Sequence, residues 1–297
     1  MHAEQNYTSF VGCTELRERG FTVFCANNEA SKSGYMSDID FEDMMLQANT
    51  GLAWLRNQTD IDKVVILGHS GGGAIMAQYQ NVAENGVSAC NGPEKISPCS
   101  NALAGLEPAD GLMLLDANYG ISTMGPLSLN PAIEYEIRPH GMFGDDEPLT
   151  IPAALYLATK NLYISQDVRT LHHTTYPWTL LEKNGTTEQI VQSAALKTTV
   201  RRYLSTLAIR ANENFDILAD NFEDIEYVST QMAPAASIKG VSVPLLTVGM
   251  TGHYEYLNAE KIHLNAVRSN DTSIAFVQGA QHGIYPCTEC ESYPGRI

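Results

Sequence analysis

The sequence predicts an α/β fold: a mostly parallel, doubly wound sheet with a helical cap inserted between two of its strands. Three observations predict it. Short apolar runs alternate with segments of helical periodicity, the pattern of a parallel sheet with helices on both faces. One such run, at 63–67, stops at Gly68-His69-Ser70-Gly71-Gly72 and is followed at once by the helix-compatible Ala74, Ile75, Met76 and Ala77. The interval from Tyr119 to about Gly240 has few strand signals and several helical ones, and a structureless insertion of that length would be improbable. The core is therefore expected over residues 1–119 and 241–297, and a helical cap or lid over 120–240.

In chain order, residues 14–19 read as the end of a helix that Gly20 stops. Residues 21–26, Phe-Thr-Val-Phe-Cys-Ala, read as a strand. Over 40–56, Phe41, Met44, Met45, Ala48, Leu52 and Leu55 recur at helical spacing, and Asp40 can cap the helix they define. Residues 64–67 form the next strand and 71–84 the helix after it. Residues 85–109 are an irregular excursion, 111–115 a buried strand ending at Asp116, and 243–248 another ending at Gly249. Residues 259–267 are helical and 273–277 form the last strand. Within the cap the strongest helical signals are 151–164 and 188–217, and across the cap as a whole Leu155, Tyr156, Leu162, Tyr163, Trp178 and Leu204 supply packing or pocket surface.

Composition narrows the partners. The chain has 297 residues, is 44% hydrophobic and carries a net charge of −16, which argues against nucleic acid or an anionic membrane surface as partner. No stretch approaches the ~20 apolar residues that span a bilayer, so stable membrane insertion is not expected. Residues 1–6 lack the apolar core of a signal peptide. Location stays open between secreted and cytoplasmic, any signal peptide lying upstream of Met1. Sequons at Asn6, Asn57, Asn184 and Asn270 are compatible with secretion. Of the six cysteines, Cys25 reads as a small buried hydrophobe with no partner assigned to it or to Cys13. Cys90 and Cys99 flank a polar loop where a disulfide fits an exported protein. Cys287 and Cys290 form a C-x-x-C in a Pro-containing tail with no partner pair at metal spacing. No cofactor and no metal are expected.

The strand–Gly-x-Ser-x-Gly–helix unit carries the chemistry. The serine sits on a tight turn that projects its hydroxyl from the sheet, with Gly68 and Gly72 small because strand and helix backbones nearly touch there. Gly71 follows it, so its N–H can face a developing oxyanion. These residues make Ser70 the candidate nucleophile. With Gln278-Gly279-Ala280-Gln281-His282-Gly283 after the last strand, the chain resembles the α/β-hydrolase superfamily, and esterases and lipases within it, over residues 1–119 and 241–297. The resemblance implies an α/β-hydrolase fold and a triad in the order Ser, acid, His. His282 matches the histidine, and of the eight histidines it alone follows the last strand.

The acid has three candidates. Asp116 ends the strand 111–115, on the side of the sheet where α/β folds react. Glu255 and Glu260 follow the strand 243–248. The family's second oxyanion donor lies on a loop that often starts His-Gly. Met1-His2-Ala3 resembles that point, which makes Ala3 or Glu4 the donor. If so, the strand before His2 is absent, leaving a gap of roughly 9–10 Å between its would-be neighbours, and no final helix follows Ile297. Both readings predict a chain truncated at each end. Otherwise residues 1–13 play another part and the sheet is rearranged.

The implied activity is cleavage of a carboxylic ester through an acyl-enzyme, with a small, apolar ester as substrate. An amide, lactone or C–C bond hydrolase would use the same residues. A non-catalytic binding protein that keeps the turn but loses the oxyanion strand is the third reading.

Overall fold

In the computed structural model, which describes residues 2, 6–29, 40–120, 204–206, 208–217, 222–253 and 256–286, four strands pair in one parallel sheet. They are β1 (Val65–His69), β2 (Gly111–Leu115), β5 (Leu245–Met250) and β6 (Thr272–Val277), in the spatial order β1-β2-β5-β6. A separate antiparallel pair joins β3 (Arg210–Ile217) to β4 (Phe222–Glu226). The helices are α1 (Val11–Glu18), α2 (Phe41–Arg56), α3 (Gly71–Asn85), the short α4 (Pro234–Ser237) and α5 (Tyr256–Asn265). Each predicted core strand from residue 64 onward is present within two residues of its expected ends. No helix among the described residues is long and apolar enough to cross a membrane.

α2 forms for the reason its spacing predicts. Phe41, Met44, Met45 and Leu52 are all buried, and the Asp40 carboxylate accepts the Glu42 N–H at 3.0 Å, capping an otherwise unsatisfied donor. Burying each of those side chains contributes about 1.5–3 kcal/mol. α3 is the central helix: from Gly71 to Gln80 every residue is buried. It lies between the sheet and a layer made by residues 87–103 and 229–240. That layer is held by polar contacts inside the fold. Gln231 Nε2 donates to Cys90 O at 2.7 Å and Ser97 O at 2.8 Å, Gln78 Nε2 donates to Gln231 Oε1, and Lys95 Nζ donates to Thr230 O. Burial pushes the Lys95 ammonium down to about 8.

Three expectations change. Residues 21–26 are not a strand. Phe21 and Phe24 are exposed, and among the described residues nothing pairs with the free edge of β1. A strand needs a neighbour for its N–H and C=O groups, and this segment has none, so Phe24 stacks on Trp54 instead. Cys25 is not a solitary hydrophobe but is bonded to Cys13, which ties α1 to that extended segment. Residues 210–217, expected within a helix, are β3. Asn212, Asn214 and Asp216 are poor helix formers that alternate with Ala211, Glu213 and Phe215, and an antiparallel partner is at hand. Met232 and Ile238 belong to the same apolar cluster as Leu112 and Leu114. The helices expected at 151–164 and 188–203, the tail 287–297 with Cys287 and Cys290, and any final helix lie outside the described residues.

The excursion 85–109 is irregular as expected, with two single-turn helices and the Cys90–Cys99 disulfide. Non-reducing peptide mapping should recover Cys90 linked to Cys99 and Cys13 linked to Cys25. Replacing Cys90 and Cys99 together by serine should lower the unfolding free energy by about 2–3 kcal/mol, read from the urea midpoint, because the loop they close is short. An unchanged midpoint would contradict this.

Candidate active site

The backbone around Ser70 is held in a conformation that side chains rarely adopt. Ser70 has φ 57° and ψ −132°, between the end of β1 and the start of α3. Such strain persists only where the surroundings impose it. Here Ser70 N–H donates to Leu115 O at 3.2 Å and Gly73 N–H donates to Ser70 O at 2.9 Å. Gly68 permits the turn, since a Cβ there would meet Gly72 O at 2.5 Å and Gly73 Cα at 2.6 Å. Ser70 thus stands at the carboxyl end of β1, and Gly71 opens α3, where free N–H groups and the helix dipole favour negative charge.

Asp116 ends β2 one strand away, also left-handed at φ 44°. It is fully buried. Its N–H donates to Val248 O at 2.6 Å, and its Oδ1 accepts the Met250 N–H at 3.0 Å, so the end of β5 fixes the carboxylate. Oδ2 faces two imidazoles. His282 Nδ1 lies 2.6 Å from it and His253 Nδ1 lies 2.7 Å from it. Burial alone would raise the Asp116 pKa, but His253 and His282 outweigh it and hold the carboxyl well below the ordinary range. His282 follows β6, and its ring sits between those of His253 and His69, with centroids 4.1 Å and 4.5 Å away.

His69, the residue before Ser70, is part of this wall. Its Nε2 lies 2.6 Å from His282 O, so Nε2 carries the proton and donates it, and Nδ1 is left to accept from the Tyr7 hydroxyl. Burial, then the neighbouring His282, pushes the His69 pKa from 6.5 down to about 4. Tyr7 in turn stacks between His2 and Phe10.

The structure therefore places Ser70 and Gly71 after β1, Asp116 after β2 and His282 in the loop after β6, all beyond the carboxyl ends of the parallel strands, with Asp116 against His282. Among the described residues Ser70 Oγ makes no hydrogen bond to His282, and such bonds often tighten only with substrate bound. Glu260 lies exposed on α5, whereas Asp116 lies against the His282 ring. Ala3, Glu4 and Glu255 fall outside the described residues. Three members of the site were missed: His253, His69 and Tyr7. The signal for His253 is its place three residues past the last residue of β5, on the same side of the sheet as Asp116. Tyr7 meets His69 across 62 residues, and no local pattern announces that contact.

A parallel sheet thus carries a strained serine between strand and helix, with an aspartate and a histidine after later strands in that order. No family model matches the chain, and no curated protein matches it. Solved structures similar to it include MenH from S. aureus, 13% identical, with 87% of this chain and 77% of that one covered at a TM-score of 0.35. A bromoperoxidase from Bacillus anthracis is 12% identical, with 94% and 73% covered at 0.31. A highly thermostable carboxyl esterase from Bacillus coagulans is 11% identical, with 82% and 65% covered at 0.36.

His69 gives a pH test. The fold favours its neutral form, so the unfolded chain binds more protons between the folded value of about 4 and the ordinary 6.5. Stability contributed by the site is full above pH 6.5 and is lost as pH falls toward 4. The loss is on the order of 3 kcal/mol. Denaturation series from pH 4 to 7 should show part of this slope vanish in His69→Asn. Parallel slopes in both proteins would contradict the assignment.

Proposed function

We propose that the protein is a serine hydrolase that cleaves a carboxylic ester through an acyl-enzyme. The observation that carries this reading is the buried Asp116 carboxylate 2.6 Å from His282 Nδ1, beside the strained turn at Ser70. His282 takes the Ser70 proton at Nε2 as Oγ attacks the ester carbonyl. Asp116 holds Nδ1–H, which keeps the Nε2 lone pair toward the serine and stabilises the imidazolium that forms. Gly71 N–H donates to the oxyanion, which in such sites supplies a large share of the rate. His282 then returns its proton to the leaving alcohol, and water repeats the sequence to release the acid.

Ser70→Ala should abolish both ester hydrolysis and labelling by a fluorophosphonate probe while leaving circular dichroism unchanged. His282→Ala should lower turnover by about 10³-fold or more, and Asp116→Asn by a comparable factor through loss of the correct tautomer. Labelling that survives Ser70→Ala, or near-normal turnover in Asp116→Asn, would reject these roles. A fully folded wild-type chain that never labels would favour the binding-protein reading instead.

Substrate choice is assigned to the cap expected at 120–240. Its sequence leaves the core after Asp116, at the carboxyl end of β2 and so on the side of Ser70, and returns to it ahead of β5. Its apolar and aromatic content suits an apolar acyl or alcohol group. Exchanging residues 120–228 for the matching segment of another such enzyme should change the chain-length preference toward p-nitrophenyl esters while Ser70 still labels. A preference that survives the exchange would put the pocket in the core.

A further inference from the structure

The hydrolytic reading needs one imidazole on Asp116 and gives the second, His253, no task. Yet Asp116, His253 and His282 come from beyond the carboxyl ends of three adjacent strands, β2, β5 and β6, and offer one ligand atom each, all within 4.8 Å of one another. Both ring nitrogens converge on the same oxygen, at 2.7 Å and 2.6 Å. Two imidazole nitrogens and one carboxylate oxygen form a donor set that suits Zn²⁺ and leaves a fourth position for water. The surroundings fit as well. The Met250 N–H occupies Oδ1 and leaves Oδ2 for a ligand bond, and His69 anchors the His282 backbone. The net charge of −16 draws cations toward the protein.

We infer that Asp116, His253 and His282 bind Zn²⁺, and that the bound ion switches the Ser70 site off. The second half rests on the hydrolase reading, and the first does not. A Zn²⁺–Nδ1 bond uses the Nδ1 lone pair of His282. The neutral ring must then carry its proton on Nε2, lost from Nδ1 to water and taken up from water at the other nitrogen. With Nε2 protonated, the ring has no lone pair for the Ser70 proton. Asp116, committed to the ion, no longer stabilises an imidazolium.

The test is calorimetric titration of ZnCl₂ into the chelator-treated full chain, alongside the rate of fluorophosphonate labelling with and without Zn²⁺. Wild type should bind one ion at this site, and Zn²⁺ should slow labelling at least tenfold, reversibly with a chelator. His253→Phe should weaken binding by about 10–100-fold, and its labelling rate should not respond to the same Zn²⁺ concentration. His253→Gln, which keeps a polar side chain without the ring, serves if the phenylalanine variant does not fold. Equal Zn²⁺ affinity in wild type and the His253 variants, or no binding up to about 1 mM, overturns the site. Binding that requires His253 but leaves labelling unchanged overturns the switch. Binding that requires His253 in a chain that never labels keeps the site and rejects the hydrolase reading.

Discussion

Burying the Asp116 carboxylate is the constraint around which the described structure is arranged. An isolated ionised carboxylate without exposure to water is too costly to keep unless it is paired and hydrogen-bonded. Here the compensation comes from the Met250 N–H on Oδ1 and from two imidazoles at Oδ2. Those groups sit on different strands, so the charge is tolerable only when β2, β5 and β6 are in register. The sheet supplies that register by parallel pairing, which sends all the strand ends to one side. Ser70 reaches the same side because β1 runs parallel to β2 and its turn is tied to Leu115 O. Fold and site are thus one requirement, and the left-handed backbone at both Ser70 and Asp116 is where the strain of meeting it is stored.

The parts of this arrangement that could be read in the sequence are those encoded over a few residues. Gly68, Ser70 and Gly72 spell a turn with a steric reason for each position, the Met and Leu spacing of α2 fixes its buried face, and Asp40 announces its cap. That Asp116 and His282 share one side of the sheet is legible because strand ends in a parallel sheet point the same way. What escaped depends on partners. Phe21 to Ala26 has the composition of a strand, but strand formation is a property of a pair. Cys25 looked apolar because its partner Cys13 lies in a separate element. The loop after β5, where the resemblance implies an acid, instead supplies the His253 imidazole to the Asp116 carboxylate.

Among the described residues no strand pairs with the outer edge of β1, and side chains cover the site there instead. At its start, Val65 is exposed. At its end, Gly68 and His69 are buried, and the cover there is aromatic. Phe10 and Tyr7 pack on the His69 ring, and His2 stacks on Tyr7. The Cys13–Cys25 bond holds α1 to the segment that follows it, and Tyr7 N–H donates to Asn27 Oδ1 beyond that bond. Side-chain stacking and one crosslink thereby exclude water from the wall of the site, which strand pairing would otherwise do.

Excluding water matters because every electrostatic role proposed for Asp116 grows as the local dielectric falls. The same carboxylate serves two ends that compete. Holding a proton on His282 Nδ1 makes Nε2 a base; giving its oxygen to a cation, with both imidazoles as co-ligands, puts the proton on Nε2 and removes the base. Geometry alone does not choose between these states, since the distances from Oδ2 to the two rings differ by only 0.1 Å. The choice falls to the tautomer of one histidine. His69 bears on it through the His282 carbonyl, because that hydrogen bond fixes where the loop after β6 places the ring. A chain of neutral groups, from the Tyr7 hydroxyl through His69 to the His282 backbone, is therefore what keeps the ring within reach of Asp116 in either state.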